Sequence, residues 1–255
     1  MPHTLCRAGL AAAAAVLLCG WASGARASPG VDVPILEYHR VGPEPVGSSL
    51  TDALTVGIAD FAAQMEWLHA AGFHAVTPSE LFDALVFGRR LPSRPIMLTF
   101  DDGYRDVFWN AAALLHRLHL HATAFVITRR ISGLDSSFLT WPELRRLEAL
   151  GFTVGSHTVD HPNLTTLTPR ALEFELDDSR AVLERQLGRP VPWLSYPVGA
   201  FDPAVVAAAR RAGYRLAVTE RPGRLQTNPL ELYRYEILDS TGLDGLKALL
   251  ASSTR

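Results

Sequence analysis

The chain is poor in cysteine and lacks a long apolar run, an excess of positive charge and a nucleotide-binding fingerprint. Its two cysteines, Cys6 and Cys19, both lie near the N-terminus. The rest of the chain therefore cannot be a disulfide scaffold and must stand on an ordinary core. The longest apolar stretch, Leu10 to Ala22, is shorter than the ~20 residues that cross a bilayer, which argues against a retained membrane anchor. Lys and Arg number 24 against 26 Asp and Glu, without the basic stripe that a nucleic-acid partner would want. No apolar run is followed by G-x-G-x-x-G, the phosphate-binding turn of dinucleotide enzymes. Nor does any linker or low-complexity segment divide the chain.

The N-terminus has the layout of an export signal. Arg7 opens it, the apolar run follows, and Ala25-Arg26-Ala27 has the small-residue spacing of a cleavage site. This predicts a leader over 1–27, cut before Ser28, and an exported protein of the periplasm or extracellular space with a single domain over 28–255. Lipidation at Cys19 is disfavoured by Leu18 before it. Without Arg7 and Arg26, the 24 basic residues become 22 against 26 acidic, a formal charge of −4.

Short apolar runs then alternate with amphipathic stretches. Strands are expected at 34–38, 74–77, 95–100, 122–127, 152–156, 193–196, 216–219 and 235–237. Helices are expected in 58–72, 106–120, 141–151, 168–188 and 202–213. The segment from Thr168 carries a cap, Pro169 in its first turn and Gly188 at its end, with Leu172, Leu176, Val182, Leu183 and Leu187 on one face. Repeated β then α predicts an α/β fold with a parallel sheet. Eight runs suit a distorted (β/α) barrel of seven or eight strands, in which reactive groups gather where strands end.

Those ends carry an uncommon set of residues. "ILEYHRVG" ends in His39, "PIMLTFDDGY" in Asp101 and Asp102, "FTVGSHTVDH" in His157 and His161, and "WLSYPVGAFD" in the turn Pro197-Val198-Gly199. Adjacent carboxylates at the edge of an apolar core need a cation, a metal or hydrogen bonds. His157 and His161 are spaced i, i+4, so one helical turn would bring both imidazoles to the same side. Two histidines and a carboxylate suit a divalent metal with open positions. The same residues also suit ordinary polar turns, and they match the facial triad of non-haem iron oxygenases, where the second carboxylate has no role. His69, His74, His116, His119 and His121 read as surface or packing residues.

In this order, "TFDDGY", "SHTVDHPNL" and "SYPVGAFD" resemble the motifs of the polysaccharide deacetylase family, carbohydrate esterases related to chitooligosaccharide deacetylases. The resemblance covers about Ile35 to Thr219. It implies a metal-dependent hydrolase that removes acetyl groups from N-acetylated sugars. Asp101 is then the catalytic base, and Asp102, His157 and His161 hold a divalent ion: zinc, with cobalt, nickel or iron as alternatives. The Val198 N–H is expected to help stabilise the oxyanion, and Tyr104, Tyr196 and Pro197, close in sequence to these groups, are expected to line the sugar site, with packing of the turn as the alternative for Tyr104.

Two positions depart from the family pattern. Ser195 stands where many members have an arginine that holds the base, and no histidine follows His161 to act as the acid. The chain looks like the poly-N-acetylglucosamine deacetylase branch, in which a histidine near the start takes that place, and this makes His39 the acid. The implied partner is an N-acetylated polysaccharide, with association with a synthesis or export machine and no nucleic acid. O-acetylated glycans, and a non-catalytic carbohydrate-binding protein of the same fold, remain as alternatives.

Overall fold

The structure, a computed structural model, describes residues 30–44 and 47–251. The expected leader and both cysteines lie outside the described residues.

All eight expected strands form within one parallel sheet. They are β1 (Ile35–Tyr38), β2 (His74–Ala75), β3 (Pro95–Phe100), β4 (Ala122–Val126), β5 (Phe152–Ser156), β6 (Trp193–Ser195), β7 (Leu216–Val218) and β8 (Tyr235–Glu236). Seven lie in the order β7-β6-β5-β4-β3-β1-β8, and β2 pairs with the start of β3. The two ends of the curled sheet meet at one bridge, Val218 to Leu232, just before β8. The fold is a distorted (β/α) barrel closed by a bridge in place of a full ladder.

Between the strands lie α1 (Ile58–Ala70), α2 (Pro78–Phe87), α3 (Ala112–Arg117), α4 (Trp141–Ala149), α5 (Pro169–Glu173), α6 (Ser179–Leu187), α7 (Pro203–Arg211) and α8 (Gly242–Ala251). Their starts follow from capping chemistry. Thr77 and Thr140 form reciprocal boxes with Glu80 and Glu143, each with a proline in the first turn, so orphan N–H groups are satisfied where the chain turns. The helix expected over 168–188 is interrupted. A π turn, Phe174–Asp178, separates α5 from α6. Two helices, α2 and α8, and the single helical turn Leu50–Ala53 had not been expected, nor had the short strand pairs 31–32 with 225–226 and 40–42 with 55–57.

Strand alternation divides the core into two shells. Ile35, Met97, Phe125, Trp193, Leu216 and Val218 pack together inside the ring. Leu36, Tyr38, Leu98, Phe100 and Val154 face outward onto Phe61, Met65, Leu115, Leu144 and Leu183 of the helices. Burying each such side chain contributes roughly 1.5–3 kcal/mol. Inside, a Cβ on Gly155 would collide with the Phe125 ring, so this strand position must be glycine.

The register carries the same inner face upward from apolar to charged. Glu37 pairs with Thr99, and Val218 with Ser195. One step beyond the strands, Asp101 and His157 continue that face. The upper end of the barrel is therefore polar because strand parity turns these residues inward above an apolar plug.

Candidate active site

Asp101 extends β3 by one hydrogen bond, from its N–H to the Tyr38 carbonyl (2.9 Å). The chain then turns sharply: Asp102 and Gly103 have φ of 68° and 82°. This left-handed step breaks the strand's alternation, so two consecutive carboxylates can serve one site.

Asp101 is fully enclosed, and both of its oxygens are held. Arg234 donates to Oδ1 from Nη1 (3.0 Å) and to Oδ2 from Nη2 (2.9 Å), and the Ser195 hydroxyl donates to Oδ2 (2.8 Å). Arg234 also donates to the Ser195 Oγ (3.0 Å), the Thr99 Oγ1 (3.2 Å) and the Thr219 carbonyl (2.9 Å). Burial works against the Asp101 charge, but the Arg234 guanidinium, with His157 beside it, holds the carboxyl well below the usual carboxylate range.

The serine that stands in place of the family arginine therefore does not leave Asp101 unsupported. The guanidinium arrives from the segment before β8, and Ser195 Oγ links it to Asp101. Glu37 is a second carboxylate on the same cation, its Oε1 3.0 Å from Arg234 Nη2. Burial pushes the Glu37 carboxyl well above the usual range despite Arg234.

Asp102 Oδ1 is buried and accepts no hydrogen bond. The Nε2 atoms of His157 and His161 lie 3.6 and 3.7 Å from it. His157 Nδ1 lies 2.9 Å from the Ser195 carbonyl. That contact fixes the ring with Nε2 toward Asp102, as a backbone acceptor does for metal-binding histidines. Ligand atoms about 2.0–2.1 Å from a tetrahedral zinc stand roughly 3.4 Å apart, close to the two distances from Asp102, and all three ligand atoms lie within 4.8 Å of one another, as a shared divalent ion requires. Burial pushes His157 down to about 3 and lowers His161 as well. Both are thus neutral near pH 7, the form that ligates metals. Burial likewise pushes Asp102 up, a penalty that a bound cation would remove.

The histidine pair converges without the expected helical turn. Thr158 and His161 are left-handed, with φ of 68° and 64°, and Pro162 disfavours right-handed helix at His161. The loop is closed by side chains: Ser156 Oγ accepts from Thr158 N–H and Thr158 Oγ1 from His161 N–H, each at 3.0 Å.

His39 is buried near Asp101 and Glu37, its Nε2 3.8 Å from Glu37 Oε1 and its Nδ1 without a hydrogen bond. Val198 stands at the tip of its turn, 54% exposed and left-handed at φ 50°. That conformation is strained for a β-branched residue. Pro197 is buried under it.

The two tyrosines part company. Tyr104 has its hydroxyl near Asp102, and burial together with the Asp102 charge pushes it up, while its ring stacks on Phe138 and lies under the Arg40 guanidinium. What it offers the site is its hydroxyl, not a face for sugar stacking. Tyr196 does not line the sugar site at all: parity turns it outward, it is fully buried, and its hydroxyl donates to the Leu230 carbonyl (3.1 Å).

Sequence reasoning missed Arg234 and Glu37. Both sit at inward-facing positions of expected strands or next to them, so alternation carried the signal once the sheet order was known.

Residues 88–217 match the family model described as polysaccharide deacetylase. The "Putative polysaccharide deacetylase YxkH" of Bacillus subtilis is 30% identical over 213 residues, 84% of this chain and 73% of that one. The poly-beta-1,6-N-acetyl-D-glucosamine N-deacetylase of Staphylococcus epidermidis is 25% identical over 208 residues, 72% of this chain and 71% of the relative. Among solved structures, the Streptococcus pyogenes deacetylase PplD in complex with acetate superposes with a TM-score of 0.81 at 27% identity. It covers 88% of this chain and 100% of that one.

Proposed function

This chain belongs to the polysaccharide deacetylase family and hydrolyses the amide bonds of acetylated sugars, and we propose that it is a divalent-metal-dependent enzyme acting on a polymer of N-acetylglucosamine. The observation that carries the metal dependence is the convergence of Asp102 Oδ1, His157 Nε2 and His161 Nε2 beside a separately held Asp101. The staphylococcal relative supports the polymer class. Zinc suits the His2Asp donor set, as do cobalt, nickel and iron.

A divalent ion bound there supplies a water of lowered pKa and polarises the acetyl carbonyl. Asp101, kept ionised by Arg234 and Ser195, accepts a proton from the attacking water. Asp102 would be one of the residues holding the ion, with Tyr104 beside its carboxylate. The Val198 N–H faces the developing oxyanion, a donor worth roughly 3 kcal/mol. His39 gives its proton to the departing sugar amine. An exported chain would meet such a polymer, and N-terminal sequencing of the secreted protein tests cleavage before Ser28.

The deciding experiment is acetate release across a panel of N-acetylated and O-acetylated glycans, with chelation and metal add-back. The proposal expects release from N-acetylglucosamine polymers, lost on chelation and restored by metal. Release only from O-acetylated xylan would overturn the substrate, and full activity after chelation would overturn the metal.

A further inference from the structure

The loop that carries the two histidine ligands has no helix or ladder of its own. Residues 157–163 leave β5, pass through two left-handed residues and reach the short turn at Leu164–Thr166. Apart from the bond that Thr158 Oγ1 accepts from the His161 N–H, such a segment holds its shape through groups outside it. The segment after β4 holds the loop carbonyls, with Thr128 and Arg129 N–H donating to Thr158 and Val159 O (3.1 and 3.2 Å) and Arg129 paired with Asp160; the buried side chain that reaches the loop N–H groups from a helix is Glu175. Its Oε2 accepts from Val159 N–H (2.9 Å) and from Asp160 N–H (3.0 Å), the two residues between the left-handed positions.

Glu175 is placed there by the π turn Phe174–Asp178. A π turn inserts an extra residue into a helix and re-aims the side chains around it. The carbonyls it disturbs are taken up locally. Ser179 Oγ donates to Glu175 O (2.7 Å), and the Tyr214 hydroxyl donates to Leu176 O (3.0 Å). Ser156 Oγ, next to His157, reaches the same Ser179 Oγ at 2.9 Å. The bulged helix thus grips the loop at two points one turn apart: Ser179 at its root and Glu175 at its bend. Glu175 is itself buried, and a carboxylate enclosed away from water is costly unless hydrogen bonds compensate it. The two loop N–H groups supply that compensation. Loop and carboxylate therefore stabilise each other, and among the described residues no other acceptor is placed at those N–H groups.

We propose that Glu175 is a positioning residue for the metal site: through the backbone of Val159 and Asp160 it holds His157 and His161 in ligating geometry before any ion arrives. The inference rests on the metal-dependent reading above. Outer partners of this kind typically govern metal affinity by roughly 10–100-fold. The contacts run to backbone N–H groups, so an acceptor oxygen at the right reach matters more than charge. Gln keeps an oxygen at that reach, whereas Asp keeps the charge and falls one methylene short.

The test uses the full metal-free chain and Co²⁺ as probe, with affinity read from the cobalt absorption spectrum in competition with a chelator and melting of the metal-free protein followed in parallel. Glu175→Ala and Glu175→Asp are expected to bind Co²⁺ roughly 10–100-fold more weakly than wild type, and Glu175→Gln to recover most of the loss. A purely structural glutamate would lower melting without that order of affinities. If Ala and Asp bind as tightly as wild type, Glu175 has no positioning role. Should Ala fail to fold, Asp against Gln decides the matter alone. A wild-type chain that binds no metal would instead remove the reading beneath the proposal.

Discussion

Replacing Arg234 with Met would test whether the barrel's upper end is built around one guanidinium. The side chain keeps much of its length and loses its charge, leaving Asp101 and Glu37 enclosed without a cation. Removing one partner of a buried pair costs about 3–5 kcal/mol, because the other charge stays desolvated. Glu37 adapts more easily, since burial already favours its neutral form. Most of the loss therefore falls on Asp101.

In a chain of this size about 1 kcal/mol corresponds to 2–4 °C, so melting should drop by roughly 6–20 °C. The pH dependence has a definite sign. In the wild type the folded Asp101 is held below its unfolded value. It contributes stability above the ordinary carboxylate range and loses it as pH falls through the lower folded value. In Arg234→Met, burial raises the same carboxyl, so its ionisation destabilises the fold near neutrality and protonation relieves this in acid. The gap between the two proteins should be widest near pH 7 and narrow toward pH 4, and adding Asp101→Asn to Arg234→Met should recover part of the stability. Calorimetric scans across this range are the assay. A gap that does not vary with pH, or melting within about 2 °C of wild type at pH 7, would refute the reasoning.

Three other substitutions probe separate parts of the site. His39→Ala should lower turnover while metal content stays at the wild-type level; loss of the metal as well would place His39 among the ligands. Val198→Gly should relieve the left-handed strain at φ 50° and keep the N–H, raising stability by about 1 kcal/mol with acetate release retained; a fall in melting temperature would show that the side chain matters more than the backbone. Gly155→Ala should destabilise by about 1–3 kcal/mol in urea titration, because its Cβ meets the Phe125 ring, and a neutral result would mean that Phe125 can move aside.

Much of this architecture was legible in residue order. The eight runs of apolar residues became the eight strands, and His39, Asp101, Asp102, His157 and His161 at or near their ends converge, because a parallel barrel delivers strand ends to one face. Where reading failed, a specific local rule had been outweighed. The box Thr77-Pro78-Ser79-Glu80 carries the start signal of α2, a helix absent from the expected set. His157 and His161 have helical spacing, but Pro162 works against helix there and Glu175 supplies another closure. Ser195 and Tyr196 are neighbours on a strand, so only one can face inward, and the serine does. Arg234 was hidden for a different reason. Its role depends on β8 lying beside β1 and on the bridge that closes the ring, and no local pattern encodes either contact.

The division of labour between the adjacent acids is tested most directly in one variant. Asp101→Asn, loaded with metal and assayed for both metal stoichiometry and acetate release from an N-acetylglucosamine polymer, should retain its metal and release no acetate. Wild-type release by this variant would contradict the assignment of the base, and loss of the metal would mean that the two carboxylates do not divide the work between them.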